Sequence, residues 1–172
     1  MTFRKAVSLY ACIAVIALNV TAQSPTTPAA IAESPLGGVA RLVGGTWVSD
    51  VKEAPDGSVT HVENHISWAP NHQAIQFVTD FNGKPHYNGM YMYDPAKKTV
   101  NFYYTSSEGQ LTVGISTPDA DSKTLRREFD VMQSNGGTGH LRSTTVRDGN
   151  DAYLFSVFAQ QSGEWKQLFQ IT

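Results

Sequence analysis

The sequence places three side chains that can bind metals or transfer protons at alternate positions, in His61-x-Glu63-x-His65. Alternate residues of a β-strand project from the same face, about 7 Å apart. Two imidazoles and a carboxylate are suitable ligands for zinc or iron, and His72 or His86 on a neighbouring strand could add a further ligand. The spacing therefore allows a metal site on one strand.

The other face of the same segment argues against that site. Val62, Ile66 and Trp68 alternate with the trio and have the apolar character of a core. The trio is then expected on the outer face, in water. We keep a metal site there as a minority hypothesis and predict no cofactor.

Arg127 is the first candidate ligand-binding residue, because it shares a face with Leu125 and Phe129. A buried guanidinium needs a partner, and an anionic ligand head group would satisfy it through bidentate hydrogen bonds. A nearby Asp or Glu would do so equally, and an arginine at a strand end can also reach solvent. His140 and Arg142 share a face of the next strand and join Arg127 if that face is the inner one.

Aromatic and methionine residues are concentrated in the segment before Arg127 and offer an adaptable pocket wall. Ordinary packing of a barrel core explains them too. The candidates taken from this set as ligand-binding residues are Tyr91, Phe102 and Tyr104.

Several chemistries have no sequence support. Gly-x-Ser-x-Gly is absent, and no helix is expected after the glycine-rich segment 135–139 to bind a phosphate. With 13 Lys plus Arg, 15 Asp plus Glu and a formal charge of -2, the chain lacks the basic excess of a nucleic-acid binder. The single cysteine, Cys12, lies in the N-terminal apolar run.

That apolar run predicts export. Arg4 and Lys5 precede it and Val20-Thr21-Ala22 follows it, which is typical of a signal peptide of residues 1–22 cleaved after Ala22. Residues 23–35 are interpreted as a flexible leader and 36–172 as one domain. The expected location is periplasmic or secreted, with no membrane span after cleavage.

The domain itself alternates with period two between Gly, Asn, Asp and Pro clusters, which predicts strands joined by tight turns. One or two helical turns are expected within 36–43. Leu111, Val113 and Ile115 are predicted to face the core, and Trp165, Phe169 and Ile171 to line one side of the last strand. The ten predicted strands are 46–51, 59–68, 72–80, 86–93, 99–105, 110–117, 123–133, 139–147, 151–160 and 164–172.

Ten consecutive hairpin-linked strands are expected to close into an all-β, antiparallel up-and-down barrel, because closure removes exposed edges. A barrel of this size is wider than its own side chains fill, which predicts a ligand-sized cavity.

The segment Leu42-Val43-Gly44-Gly45-Thr46-Trp47 resembles the Gly-x-Trp start of the calycins, the lipocalins and fatty-acid-binding proteins. The resemblance implies that Trp47 closes one end of the barrel and that Gly45 lets the chain turn into the first strand. Two features depart from related families. The final strands contain no Arg-x-Tyr pair, with which fatty-acid-binding proteins hold a carboxylate. No histidine follows His140, whereas nitrobindin-like barrels need a late histidine to hold their haem.

These observations favour a non-enzymatic, exported binding protein for a small hydrophobic or amphipathic molecule, with strands 86–133 as the wall. One alternative is an enzyme on the same barrel that uses His65, Glu63 or His140 as acid or base. The other is a module that binds another envelope protein through its outer face.

Overall fold

The computed structural model describes residues 35–52, 59–119, 123–148 and 152–171. The predicted signal peptide lies outside these residues, as does the predicted leader except for its last position. Within the described ranges no helix is long and apolar enough to span a membrane.

One short helix precedes ten strands. The helix, α1, spans Gly37–Ala40. The strands are β1 (Thr46–Lys52), β2 (Val59–Trp68), β3 (Ala74–Phe81), β4 (Lys84–Asp94), β5 (Thr99–Ser106), β6 (Leu111–Pro118), β7 (Thr124–Met132), β8 (Thr138–Asp148), β9 (Ala152–Gln161) and β10 (Glu164–Ile171).

Each strand pairs antiparallel with the next, so the sheet has the order β1 to β10 without a crossover. The sheet curves into a nearly closed up-and-down barrel, in which β1 and β10 are the two edge strands. Positive φ angles at Asn82 and Gly83, 51° and 72°, give the β3–β4 hairpin a turn that matches the strand twist. The predicted all-β antiparallel barrel of ten strands is confirmed.

The inward face of the central strands is set by a row of three residues in register. Gly114 pairs with Phe102 on β5 and with Phe129 on β7. A Cβ at Gly114 would lie 2.4 Å from the Phe129 Cβ and 2.8 Å from the Phe102 Cζ, so only glycine leaves room for these two rings. The small residues of β6 therefore face inward.

The predicted burial of the apolar face of β6 is wrong. Leu111, Val113 and Ile115 lie on the outer face and are 40%, 42% and 45% exposed. Thr112 and Ser116 are buried instead, because the phenylalanines of the neighbouring strands fill the volume that larger β6 side chains would need. We name these three exposed residues the β6 stripe.

The predicted single face of β10 is also wrong. A register shift between Gln167 and Phe169 marks a β-bulge, and an inserted residue reverses the facing of the side chains beyond it. Trp165, before the bulge, lies on the outer face over Arg142. Phe169, after the bulge, pairs with the inward-facing Val157.

The N-terminal segment packs into one end of the barrel, which we call the plug end. Leu36, Val39 and Leu42 are buried and belong to one hydrophobic core with the inward residues of the strands. Phe102 and Ile75, at 1% and 0% exposed, lie deepest in that core. Phe102, Ile75 and their apolar neighbours thus occupy part of the interior in which the strand count predicted a ligand-sized cavity.

Candidate functional site

The structure brings four of the five candidate ligand-binding residues together on the inward face. They are Tyr91 on β4, Phe102 and Tyr104 on β5, and Arg127 on β7. The ring centroids of Tyr91 and Phe102 are 5.5 Å apart. The fifth candidate is outside this group.

That fifth residue, Arg142, is on the outer face of β8. It forms an ion pair with Glu128 at 3.0 Å, and its guanidinium carbon lies 4.2 Å from the centroid of the Trp165 ring. His140 shares this face. His140 and Arg142 therefore do not join Arg127, because their face of β8 is the outer one.

Arg127 is buried among neutral partners. Its Nε donates a hydrogen bond to the Tyr91 hydroxyl at 3.0 Å, and its Nη1 donates one to Thr145 Oγ1 at 2.7 Å. The guanidinium carbon also lies 5.7 Å from the centroid of the Tyr91 ring. Among the described residues no Asp or Glu forms an ion pair with it.

Small hydroxyl side chains surround this guanidinium, and the sequence analysis did not identify them. Arg127 pairs in register with Ser116 on β6 and with Ser143 on β8, and all three are buried together with Thr145 and Thr112. A signal was present, because a Thr, Gly, Ser series on β6, beside two strands that each place one phenylalanine opposite the glycine, is what an inward face with limited space requires. We call Arg127, Tyr91, Ser116, Ser143 and Thr145 the Arg127 cluster.

At the end of the barrel opposite the plug, the inward apolar residues are only partly buried. These residues, which with Gly139 we call the open-end cup, are Tyr87, Tyr104, Val131 and Leu141. The Tyr87 and Tyr104 rings contact each other edge to face, with centroids 5.2 Å apart. A Cβ added to Gly139 would meet no atom within 4 Å, so space remains at this part of the inward face.

Tyr104 connects the cup to the Arg127 cluster electrostatically. Burial raises the pKa of the Tyr104 hydroxyl, while a hydrogen bond with Thr112 and the positive charge of Arg127 act in the opposite direction. The guanidinium therefore acts on a residue of the cup wall.

The His61, Glu63 and His65 trio lies on the outer face of β2, next to edge strand β1. His61 Nδ1 is 2.7 Å from Asp50 Oδ1 and its Nε2 is 3.2 Å from Glu63 Oε1. The hydrogen bond with Asp50 is the main cause that raises the pKa of His61. Asp50 lies on β1, whereas His61 and Glu63 lie on β2. The contact between His61 and Asp50 therefore links the two strands.

Within the described ranges no group of three or more His, Cys, Asp or Glu side chains is arranged to hold a metal ion. The residues considered for acid or base catalysis inside the barrel, His65, Glu63 and His140, all lie on the outer face. An acid or base that acted on a molecule in the interior would have to be a different residue.

A second polar cluster occupies the outer face of β7 and β8. His140 Nδ1 is 2.7 Å from Asp130 Oδ1, and its Nε2 is 3.0 Å from Glu128 Oε1. The hydrogen bond with Asp130 is the main cause that raises the pKa of His140. The ring also packs against Trp165, with centroids 5.7 Å apart.

At the plug end, Trp47 is partly buried and packs against the hydrophobic core. Its Nε1 donates a hydrogen bond to the Leu42 carbonyl at 2.8 Å, and its ring contacts Tyr153 edge to face at 4.5 Å between centroids. Gly45 precedes it with φ of 81°, a left-handed conformation that lets the chain turn into β1.

A narrow cleft opens beside this plug. Its volume is about 10 Å³, roughly the space that one water molecule needs. Arg41, Lys123 and Arg147 line it together with Thr145, whose hydroxyl also binds Arg127. The cleft is too small for an organic ligand in this conformation.

In comparisons with known proteins, no family model matches the chain, and no curated protein matches it.

Proposed function

We propose that this chain is an exported, non-enzymatic binding protein that holds a small hydrophobic or amphipathic molecule in the open-end cup. The observation that carries the proposal is the set of partly exposed apolar side chains at the end of the interior opposite the plug. Tyr87, Tyr104, Val131 and Leu141 lie there around Gly139, where an added Cβ would meet no atom within 4 Å.

Two physical arguments support a ligand in the cup. Partly exposed apolar side chains on a concave surface gain free energy when an apolar molecule covers them, about 25 cal/mol for each Å² removed from water. Pockets for small molecules also combine an apolar wall with a few polar groups. Here the wall is aromatic and aliphatic. The Tyr104 ring stacks on Phe102, and the Phe102 ring lies 5.5 Å from that of Tyr91, whose hydroxyl accepts a hydrogen bond from Arg127.

The N-terminal sequence supports the other parts of the proposal. Residues 1–22 have the pattern of a cleaved export signal, so we propose a periplasmic or secreted location. Gly45 and Trp47 resemble the start of the calycins, many of which carry small apolar molecules. Kinship with the calycins is likewise a proposal, based on that motif and on the ten-stranded barrel.

Titration with Nile red, a neutral apolar dye, tests the cup directly. We expect saturable binding to the wild-type protein. Gly139→Leu should weaken it at least about tenfold, equivalent to ~1.4 kcal/mol, because the leucine fills the cup. Thr138→Leu adds the same side chain to the outer face of the same strand and should leave binding unchanged. If folded Gly139→Leu binds the dye as the wild type does, the cup is not the binding site.

The β6 stripe favours a second function, a module that binds another protein. Leu111, Val113 and Ile115 expose a row of apolar surface in the middle of the outer face, and exposed apolar patches mark interaction sites. In the same titration Val113→Lys separates the two functions. Dye binding that survives Gly139→Leu but is lost in Val113→Lys would assign the apolar site to the stripe.

A further inference from the structure

The most unusual buried group in the barrel is the Arg127 guanidinium. The residue is 9% exposed and lies between Leu125 and Phe129 on the inward face of β7. A buried charge without an opposite charge is destabilising unless strong hydrogen bonds compensate. The two hydroxyl acceptors of Arg127 carry no formal charge, and the guanidinium has five N–H donors in all.

Ser116 provides a second, independent observation at the same place. It pairs in register with Arg127 across β6 and β7 and is 3% exposed. Its Oγ is buried and, among the described residues, has no hydrogen-bond partner. A buried hydroxyl without a hydrogen-bond partner destabilises a fold, so a buried serine in this state points to a bound group that supplies the missing hydrogen bond.

No inward side chain of β6, β7 or β8 carries a carboxylate that could pair with Arg127 or accept a hydrogen bond from Ser116. The inward positions around Arg127 carry Ser116, Ser143, Thr145 and Gly114, and the acidic residues of β7, Glu128 and Asp130, face outward toward His140. Hydroxyl donors and a guanidinium together match the acceptor oxygens of an anion, because a guanidinium binds planar oxyanions through parallel hydrogen bonds.

We propose that Arg127 and Ser116 form an anion site that binds the oxyanionic head group of the ligand, either a carboxylate or a phosphate, while its apolar body extends past Tyr104 into the open-end cup. This inference rests on the proposed function, since it identifies the chemical class of the ligand held there. The Ser116 hydroxyl donates to one head-group oxygen, and the N–H groups not used by Tyr91 and Thr145 donate to the head group as well.

Three probes with the same twelve-carbon chain test the site: dodecanoate, dodecyl phosphate and the neutral dodecanol. Calorimetric titration of the wild-type protein should show at least about tenfold tighter binding of one of the two anions than of dodecanol, as expected for hydrogen bonds to a charged group. Which anion binds more tightly distinguishes a carboxylate from a phosphate head group.

Arg127→Gln should remove this preference and leave dodecanol binding within about twofold of the wild type. Arg126→Gln is the matched control, because Arg126 is the neighbouring arginine on the outer face, bonded to Asp119 at 2.8 Å. It should keep the preference. Circular dichroism establishes that each variant is folded.

Ser116→Ala is the second variant, and it keeps the test decisive if Arg127→Gln does not fold. It removes an orphaned hydroxyl, so the free protein should be at least as stable as the wild type, while the preference for the anion falls several-fold. An unchanged anion preference in folded Arg127→Gln, or in Ser116→Ala, overturns the anion site. Equal wild-type binding of all three probes overturns it but leaves the cup, and no wild-type binding of any probe overturns the proposed function itself.

Discussion

Arg127 and Tyr91 are 36 positions apart in the sequence and are joined inside the barrel by a hydrogen bond from Nε to the tyrosine hydroxyl at 3.0 Å. The bond links β7 to β4 across the interior. Since the strands between them are held by the sheet, this bond orients the guanidinium rather than the backbone.

Removing the Tyr91 hydroxyl, which accepts this hydrogen bond, should destabilise the protein. Tyr91→Phe leaves a buried charged donor without its partner, and we expect the free energy of unfolding to fall by about 1–3 kcal/mol. Tyr103→Phe is the control, because that hydroxyl is on the outer side of β5 and donates only to Met92 Sδ at 3.2 Å. Urea unfolding of both variants measures the difference, and equal losses would contradict the role given to Tyr91.

The close approach at Gly114 predicts a difference in stability between alanine variants at two glycines of the same barrel. Gly114→Ala places a Cβ 2.4 Å from that of Phe129, and overpacking of this kind is destabilising by about 1–3 kcal/mol. Gly139→Ala meets no atom within 4 Å and should change stability little. Thermal unfolding of the two variants compares them, and a Gly114→Ala protein as stable as Gly139→Ala would show that the inward row of Phe102, Gly114 and Phe129 is not tightly packed.

The outer-face histidine clusters predict a pH dependence of stability. Asp130, and to a lesser extent Glu128, raise the pKa of His140 above its usual 6.5. The folded state therefore binds the proton more tightly than the unfolded state, and the stabilisation is complete below pH 6.5 and lost as the pH rises through the folded-state pKa. Arg142 also faces Glu128, with which it forms an ion pair at 3.0 Å.

His140→Gln removes this contribution. Between pH 6 and pH 9 the melting temperature of the wild type should fall more than that of the variant, by a small amount because the pair is exposed. Asp130→Asn should likewise make the melting temperature fall less between pH 6 and pH 9 than it does in the wild type. Identical pH profiles for the wild type and His140→Gln would mean that the ion pair does not contribute to stability.

The sequence was sufficient to predict the ten strands, because turns and alternation are local properties. It was also sufficient to place His61, Glu63 and His65 on the outer face, since Val62 and Ile66 mark the other face of the same strand. Which side chains of β6 point inward could not be predicted from β6 alone. Its apolar residues alternate with Thr112, Gly114 and Ser116, and the choice between the two faces is made by Phe102 and Phe129 on the neighbouring strands.

The same reason limits what could be predicted of the site. Arg127 was identified because its own strand alternates, whereas its partners come from β4, β6 and β8, and contacts between strands depend on register. Trp165 was wrongly predicted to share a face with Phe169 and Ile171, because a single bulge between Gln167 and Phe169 reverses the pattern of β10. No local feature of residues 164–171 marks that bulge.

Native mass spectrometry of residues 23–172, the mature protein that we propose, tests the central claim most directly. The protein is isolated gently from the exported fraction, and part of it is incubated with dodecanoate, dodecyl phosphate and dodecanol before its native mass is compared with its denatured mass. We predict an excess equal to one small organic molecule per chain, and the loss of that excess in Gly139→Leu but not in Thr138→Leu. Equal native and denatured masses for the folded wild-type protein, both as isolated and after incubation with all three amphiphiles, would contradict the account.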